Sequence, residues 1–314
     1  MRREPRYVRR RRTALGAAGL VAIAAVAAII AGGSGSGSTT PAATARPPAS
    51  TVSTRTQAGR RHTGATMPRT AVRRGPRGTE SVPILMYHVI LPAPPGAPFP
   101  GLYVPKAEFA AQMHALAAAG YHAVTMDQMW DNWREGTALP KGKPIVVSFD
   151  NGYESQYHEA MPVLRSIGWV GVENLQLSGL PVSQGGLSHA EVRALVRDGW
   201  ELDTQGYDHA DLITLDAAQL RFQVATARER IRALYHVAAR WFCYPSGHYD
   251  ATVIAAVRAA GYLGSTTVTP GWASPSEDPY RLPRLRVLAG TTPGELLAEL
   301  AAIRGDTAPG PSYG

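Results

Sequence analysis

Pro144-Ile145-Val146-Val147-Ser148-Phe149-Asp150-Asn151-Gly152-Tyr153 is an apolar run of strand length that stops at two polar residues and a glycine. Short β-branched runs closed by turn residues read as buried strands. Similar runs recur at residues 83–90, 169–175, 200–202, 241–244, 262–268 and 285–288. Helical stretches lie between them at 106–119, 153–167, 190–198 and 252–260, each followed by a glycine: Gly120, Gly168, Gly199 and Gly261. A glycine there takes the left-handed position that ends a helix. Thr125 with Gln128, Ser188 with Glu191, and Thr292 with Glu295 have capping-box spacing, the last with Pro293 at the first helical position. Strand–helix alternation over most of the chain predicts a mostly parallel sheet, open or closed. In such sheets chemistry collects just past the strand C-termini.

The remaining composition bounds the function. The chain has 314 residues, a formal charge of +8 and one cysteine, Cys243. A single cysteine excludes a disulfide scaffold and a multi-cysteine zinc site. Within an apolar strand it reads as an inert core thiol. The charge is unevenly placed, with +14 on residues 1–79 and −6 on residues 80–314. A mildly acidic body does not suit nucleic acid as a partner.

Residues 1–13 form a basic tail expected to stay cytoplasmic, and residues 14–31 run for eighteen residues without a charge. That length is nearer the roughly 20 residues of a spanning helix than the roughly 7–15 of a cleaved secretory core. The expectation is a single-pass signal-anchor in the cell membrane with the body extracytoplasmic. Ala31, Gly32 and Gly33 also suit cleavage, which would make the protein secreted. Residues 32–79, rich in Gly, Ser, Thr, Pro and Arg, are expected to be a disordered linker. Residues 80–304 form the domain, and 305–314 a flexible tail.

The strand ends carry the chemistry. After Phe149 come Asp150 and Asn151; after Leu202 come Asp203-Thr204-Gln205-Gly206-Tyr207-Asp208-His209; after Tyr244 come Pro245-Ser246-Gly247-His248; the first strand carries Met86-Tyr87-His88. In this order they resemble the polysaccharide deacetylase family, the NodB-homology or carbohydrate esterase 4 domain. Ser148-Phe149-Asp150-Asn151-Gly152-Tyr153 is similar to its first motif, Thr-Phe-Asp-Asp-Gly-Tyr. Residues 187–212 resemble the region of its second, His-Ser/Thr-x-x-His. Phe242-Cys243-Tyr244-Pro245-Ser246-Gly247 resembles Phe-Ala-Tyr-Pro-Tyr-Gly. Ala260-Gly261-Tyr262 and Leu282-Pro283-Arg284-Leu285-Arg286-Val287 match further landmarks. Pro83-Ile84-Leu85-Met86-Tyr87-His88 is similar to the branch acting on poly-N-acetylglucosamine.

The resemblance implies a deformed (β/α) barrel and hydrolysis of N-acetyl groups on an extracellular or cell-wall polysaccharide. It implies zinc, or another divalent metal, held by an aspartate and two histidines. Carried over by position, the base is Asp150 and the metal positions are Asn151, Gln205 and His209. His88 is the histidine acid, and Tyr244, Pro245 and Ser246 grip the sugar. Two of the three metal positions are therefore amides, which suit zinc poorly. Asp203, Asp208 and His248 are the nearby residues available to rebuild a site. Two readings remain open: an N-deacetylase with an unusual metal site, or a pseudoenzyme that binds wall glycan or scaffolds a partner. A glycosidase would need a second carboxylate beside Asp150, and Asp203 is the candidate. Trp130 and Trp133 read as core, and Arg228, Arg230 and Arg232 as a solvated helix face.

Overall fold

The computed structural model describes residues 74–180 and 184–304. The basic tail, the 14–31 segment, nearly all of the 32–79 linker and the 305–314 tail lie outside the described residues. Among the described residues, no helix is long and apolar enough to cross a membrane.

One sheet organises these residues. Its strands are β1 (Val82–Tyr87), β2 (Tyr121–Ala123), β3 (Lys143–Asn151), β4 (Val172–Leu175), β5 (Glu201–Thr204), β6 (Trp241–Cys243), β7 (Gly264–Thr266), β8 (Trp272–Ala273) and β9 (Leu285–Arg286). The order is β7-β6-β5-β4-β3-β1-β8, with β2 beside β3 and β9 beside β1. Every pairing is parallel except β1 with β8. The result is a curled half-barrel of parallel strands, in keeping with the deformed barrel expected from the sequence. β2 and β8, of three and two residues, are too short to leave an apolar run of their own.

The helices are α1 (Lys106–Ala118), α2 (Met126–Glu135), α3 (Met161–Ser166), α4 (His189–Arg197), α5 (Ala217–Arg221), α6 (Ala227–Tyr235), α7 (Ala251–Ala259) and α8 (Pro293–Ile303). All three anticipated capping boxes form, at the starts of α2, α4 and α8. Gly120, Gly168, Gly199 and Gly261 all have positive φ, as their place after helices requires. The stretch expected as one helix over 153–167 contains a π-turn, Gln156–Ala160, before α3.

The core lies between the sheet and α1, α3 and α8, where Leu85, Phe109, Met113, Val147, Phe149, Leu296 and Leu300 are buried. Trp133 is buried and its indole N–H donates to the Glu80 carbonyl, while Trp130 meets Trp241 edge-on at 5.4 Å. Both belong to the packing. Arg228 departs from the solvated face expected of it. Its guanidinium donates to the Ala239 and Ala260 carbonyls and lies over Tyr262, tying α6 to two loops.

Near the start of β5 and β6, Thr125, Asp127, Glu201, Asp203 and Arg240 line a cavity of about 360 Å³. Burial pushes the Asp203 carboxyl up to about 7, and burial together with Asp203 and Asp127 pushes Glu201 well above its ordinary value. A carboxyl raised on folding contributes stability that is full below its unfolded value of about 4 and lost as pH rises through the folded one. Thermal stability is therefore expected to fall between pH 5 and 8. Asp203→Asn keeps the oxygen that accepts the Trp241 N–H and should flatten that fall. An Asn variant that tracks the wild type across the range would count against this role.

Candidate active site

The C-terminal ends of the parallel strands open into a cleft of about 430 Å³. β1 delivers His88, β3 delivers Asp150 and Asn151, the segment after β5 delivers Gln205 and His209, and the segment after β6 delivers Tyr244 and Ser246. The structure thus brings together seven of the eight residues anticipated from sequence. Pro245 is the exception. It is buried in the turn Pro245–Gly247 and supports Ser246 without lining the cleft.

Three of these residues, Asn151 (φ 80), His209 (φ 62) and Ser246 (φ 55), hold the left-handed backbone. Outside glycine that region is sparsely populated, and it is retained where the surroundings over-determine it, often at ligand sites. The Gln156 side chain donates to the His88 and Asp150 carbonyls, at 2.9 and 2.8 Å, and so locks the ends of β1 and β3 together.

Asp150 is fully enclosed. Its Oδ1 accepts from Arg284 Nη1 at 2.8 Å and from Asn174 Nδ2 at 2.9 Å, and its Oδ2 accepts from Arg284 Nη2 at 2.9 Å. Both partners of the ion pair are about 1% exposed. Arg284 is itself fixed by donating to the Thr267 carbonyl. Burial pushes the carboxyl up, but the Arg284 charge and hydrogen bonds, with His88 and Asn174, outweigh it and hold Asp150 down to about 2. Burial lowers His88 to about 4, with Arg284, Arg286 and His209 acting in the same direction and Asp150 opposing. Burial also lowers His209, against Asp150 and Asp208. The cleft therefore presents one ionised but paired carboxylate and, at neutral pH, two uncharged imidazoles.

Two enclosed polar atoms in the cleft, His88 Nδ1 and Gln205 Oε1, have no hydrogen-bond partner among the described residues. Tyr244 lines the cleft with its ring, but its hydroxyl is committed to the Tyr280 carbonyl at 2.9 Å. Tyr244 therefore offers a surface and no free donor.

Zinc does not fit this donor set. Both Asp150 oxygens are held by Arg284, which leaves His209 with the neutral oxygens of Asn151 and Gln205. Zinc sites draw on imidazole, thiolate and carboxylate, and the Arg284 pair leaves no uncommitted carboxylate here. Among the described residues there is no group of three His, Cys, Asp or Glu side chains able to hold a metal. The residues that might have rebuilt one are elsewhere. Asp203 lines the other cavity and accepts the Trp241 N–H, Asp208 accepts from Gln223, and His248 pairs with Asp211 at 3.1 Å. The absence of Asp203 from the cleft also removes the second carboxylate a glycosidase would need.

Sequence reasoning gave no role to Arg284, Asn174, Gln176 or Arg286. Arg284 and Arg286 stand in the sequence only within a landmark of the resemblance. An arginine flanked by Pro283 and Leu285 is itself a signal, because arginine is almost never buried unpaired. Cys243 is enclosed, and burial pushes its thiol up to about 12, in keeping with an inert core residue.

Comparison with known proteins follows the same lines. A family model described as polysaccharide deacetylase matches residues 138–264. The Bacillus subtilis (strain 168) protein YxkH, whose name as a polysaccharide deacetylase is provisional, is 28% identical over 210 residues, covering 67% of this chain and 72% of that protein. A polysaccharide deacetylase from Bacillus cereus superposes with a TM-score of 0.62 at 25% identity, over 70% of this chain and 69% of that one. The Streptococcus pyogenes deacetylase PplD, solved in complex with acetate, superposes with a TM-score of 0.65 over 71% of this chain and 99% of that one. At 22% identity this last likeness is one of fold.

Proposed function

Because the chain carries a polysaccharide deacetylase domain, we propose that its cleft recognises an N-acetylated extracellular or cell-wall polysaccharide and does so without zinc-dependent hydrolysis. The observation that carries this reading is the pairing of Asp150 with Arg284 beside two amides, Asn151 and Gln205. Hydrolysis of an amide needs an activated water and an electrophile at the acetyl oxygen. A carboxylate near 2 and an imidazole near 4 are both far from the operating pH at which general bases work best. Without a metal the water keeps its weak bulk acidity. The donor set thus favours holding a sugar over cleaving its amide.

The cleft is suited to sugar binding. Asn151, Gln176, Gln184 and Gln205 supply amides, Tyr153 and Ser246 supply hydroxyls, and Phe99 on the rim is 69% exposed. An exposed aromatic beside convergent polar groups gives a pyranose face something to stack on. Calorimetric titration of the full-length protein with N-acetylglucosamine oligosaccharides is expected to show saturable binding, weakened by Phe99→Ala. A flat titration would reject the reading.

The proposal extends to location. With residues 14–31 as a signal-anchor, the domain faces outward on the membrane through the 32–79 linker. Deleting residues 1–31 should move the protein from the membrane fraction to the soluble one. A deletion variant that stays with membranes would assign the attachment to the linker or the domain.

A further inference from the structure

The cavity near the start of β5 and β6 lies at the opposite end of these strands from the cleft, and its charges do not balance. Three carboxyls line it, Asp127, Glu201 and Asp203, against one arginine, Arg240. Arg240 is already shared, with Nη1 3.3 Å from Asp127 and Nη2 3.4 Å from Asp131 of α2. That leaves Glu201 and Asp203 without a cation of their own.

Each of these two carboxyls is half used. Glu201 Oε2 accepts the Asp127 N–H and Asp203 Oδ1 accepts the Trp241 N–H, both at 2.9 Å. Glu201 Oε1 and Asp203 Oδ2 are enclosed and have no hydrogen-bond donor among the described residues, and Asp203 is 1% exposed. Residues two apart on a strand share a face, so both carboxyls stand on the cavity side of β5. An enclosed carboxylate that lacks a donor is costly. A shared proton is one remedy, and burial raises both groups toward it. A bound cation is the other, and a cavity of about 360 Å³ is large enough for a small one with its carbon stem.

The donors required single out the cation. The two free oxygens come from different carboxyls, so they do not present the parallel pair that a guanidinium fork matches. An ammonium is a point charge whose three donors can be aimed at separate acceptors. A hard dication takes about six oxygens, and no group of three acidic side chains among the described residues is placed to hold one. Val237, Ala238 and Ala239 add an apolar wall to the same cavity.

We propose that this cavity binds a small primary amine in its ammonium form, held between Glu201 Oε1 and Asp203 Oδ2 with its carbon stem along Val237, Ala238 and Ala239. The site is separate from the cleft and does not rest on the glycan reading.

The test titrates the full-length protein at pH 8 with propylamine, propanol and propylguanidine. Propylamine stays charged at that pH. It is expected to bind about tenfold or more tightly than propanol, the worth of one charge-assisted hydrogen bond, and more tightly than propylguanidine. Asp203→Asn and Glu201→Gln each keep an oxygen for the backbone N–H and put an amide NH2 in place of the free oxygen. Each should remove the preference for amine over alcohol. Neither residue lines the cleft, and either variant alone carries the test if the other does not fold. Equal binding of propylamine and propanol would make the cavity an apolar hollow and overturn the proposal. Binding of neither would mean that a shared proton alone satisfies the pair, which overturns it as well. A preference that survives both substitutions, or tighter binding of propylguanidine, would overturn the assignment of an ammonium to these two carboxyls.

Discussion

Replacing Arg284 with Met is expected to lower the melting temperature of the protein by about 6–20 °C. The substitution keeps the volume and removes the charge, which leaves the Asp150 carboxylate enclosed with Asn174 and the weak Cys243 thiol as its remaining side-chain donors. Breaking a buried ion pair from one side costs about 3–5 kcal/mol. For a domain of this size each kcal/mol shifts the midpoint by about 2–4 °C. The pH dependence identifies the cause. In the wild type, Asp150 is held down to about 2, so its contribution is present above the unfolded value near 3.9 and is lost as pH falls through about 2. In the variant burial is opposed only by His88 and Asn174, without Arg284, and the carboxyl rises. The variant's deficit should therefore narrow as pH falls toward 3, where the carboxyl takes up a proton. Asp150→Asn combined with Arg284→Met replaces the pair by neutral groups and should recover most of the loss. A single variant as stable as the wild type at pH 7 would mean that the pair is open to solvent.

Asn151→Asp with Gln205→His is expected to create a zinc site where the wild type has none of consequence. Both positions line the cleft with His209, so the double change supplies a carboxylate and an imidazole beside an existing imidazole. Losing a single outer-shell partner already changes metal affinity by about 10–100-fold, so two restored direct donors should tighten zinc by about a thousandfold or more. Calorimetry of the double variant should give one zinc per chain, lost again with His209→Ala. If the double variant binds zinc no better than the wild type, Gln205 and Asn151 are not where the metal donors belong.

Much of this arrangement was legible in the chain because local physics sets it. Capping boxes are satisfied within four residues, and helix-ending glycines respond to a single backbone angle. All the expected instances formed. The strand ends were legible for the same reason, since an apolar run that stops at Asp150 or His88 marks both the strand and the polar group delivered by it. The pairing of Asp150 with Arg284 was not. The two lie 134 residues apart and meet only because β9 lies beside β1, which in turn lies beside β3. The apolar run at 285–288 marks a strand, but nothing local to it says which strand it lies beside. Asp203 shows the other limit. It follows an apolar run just as Asp150 does, but its carboxylate turns to the Trp241 backbone and belongs to a different cavity. Arg228 shows that helical spacing alone does not separate a solvated arginine from one that spans two loop carbonyls.

The decisive measurement is a titration of the full-length protein with an N-acetylated oligosaccharide before and after chelation, with released acetate assayed in the same samples and zinc then added back. Binding of unchanged affinity across all three conditions, with no acetate released, is the predicted result. Acetate that appears with zinc and vanishes with the chelator would contradict a cleft that recognises its glycan without the metal.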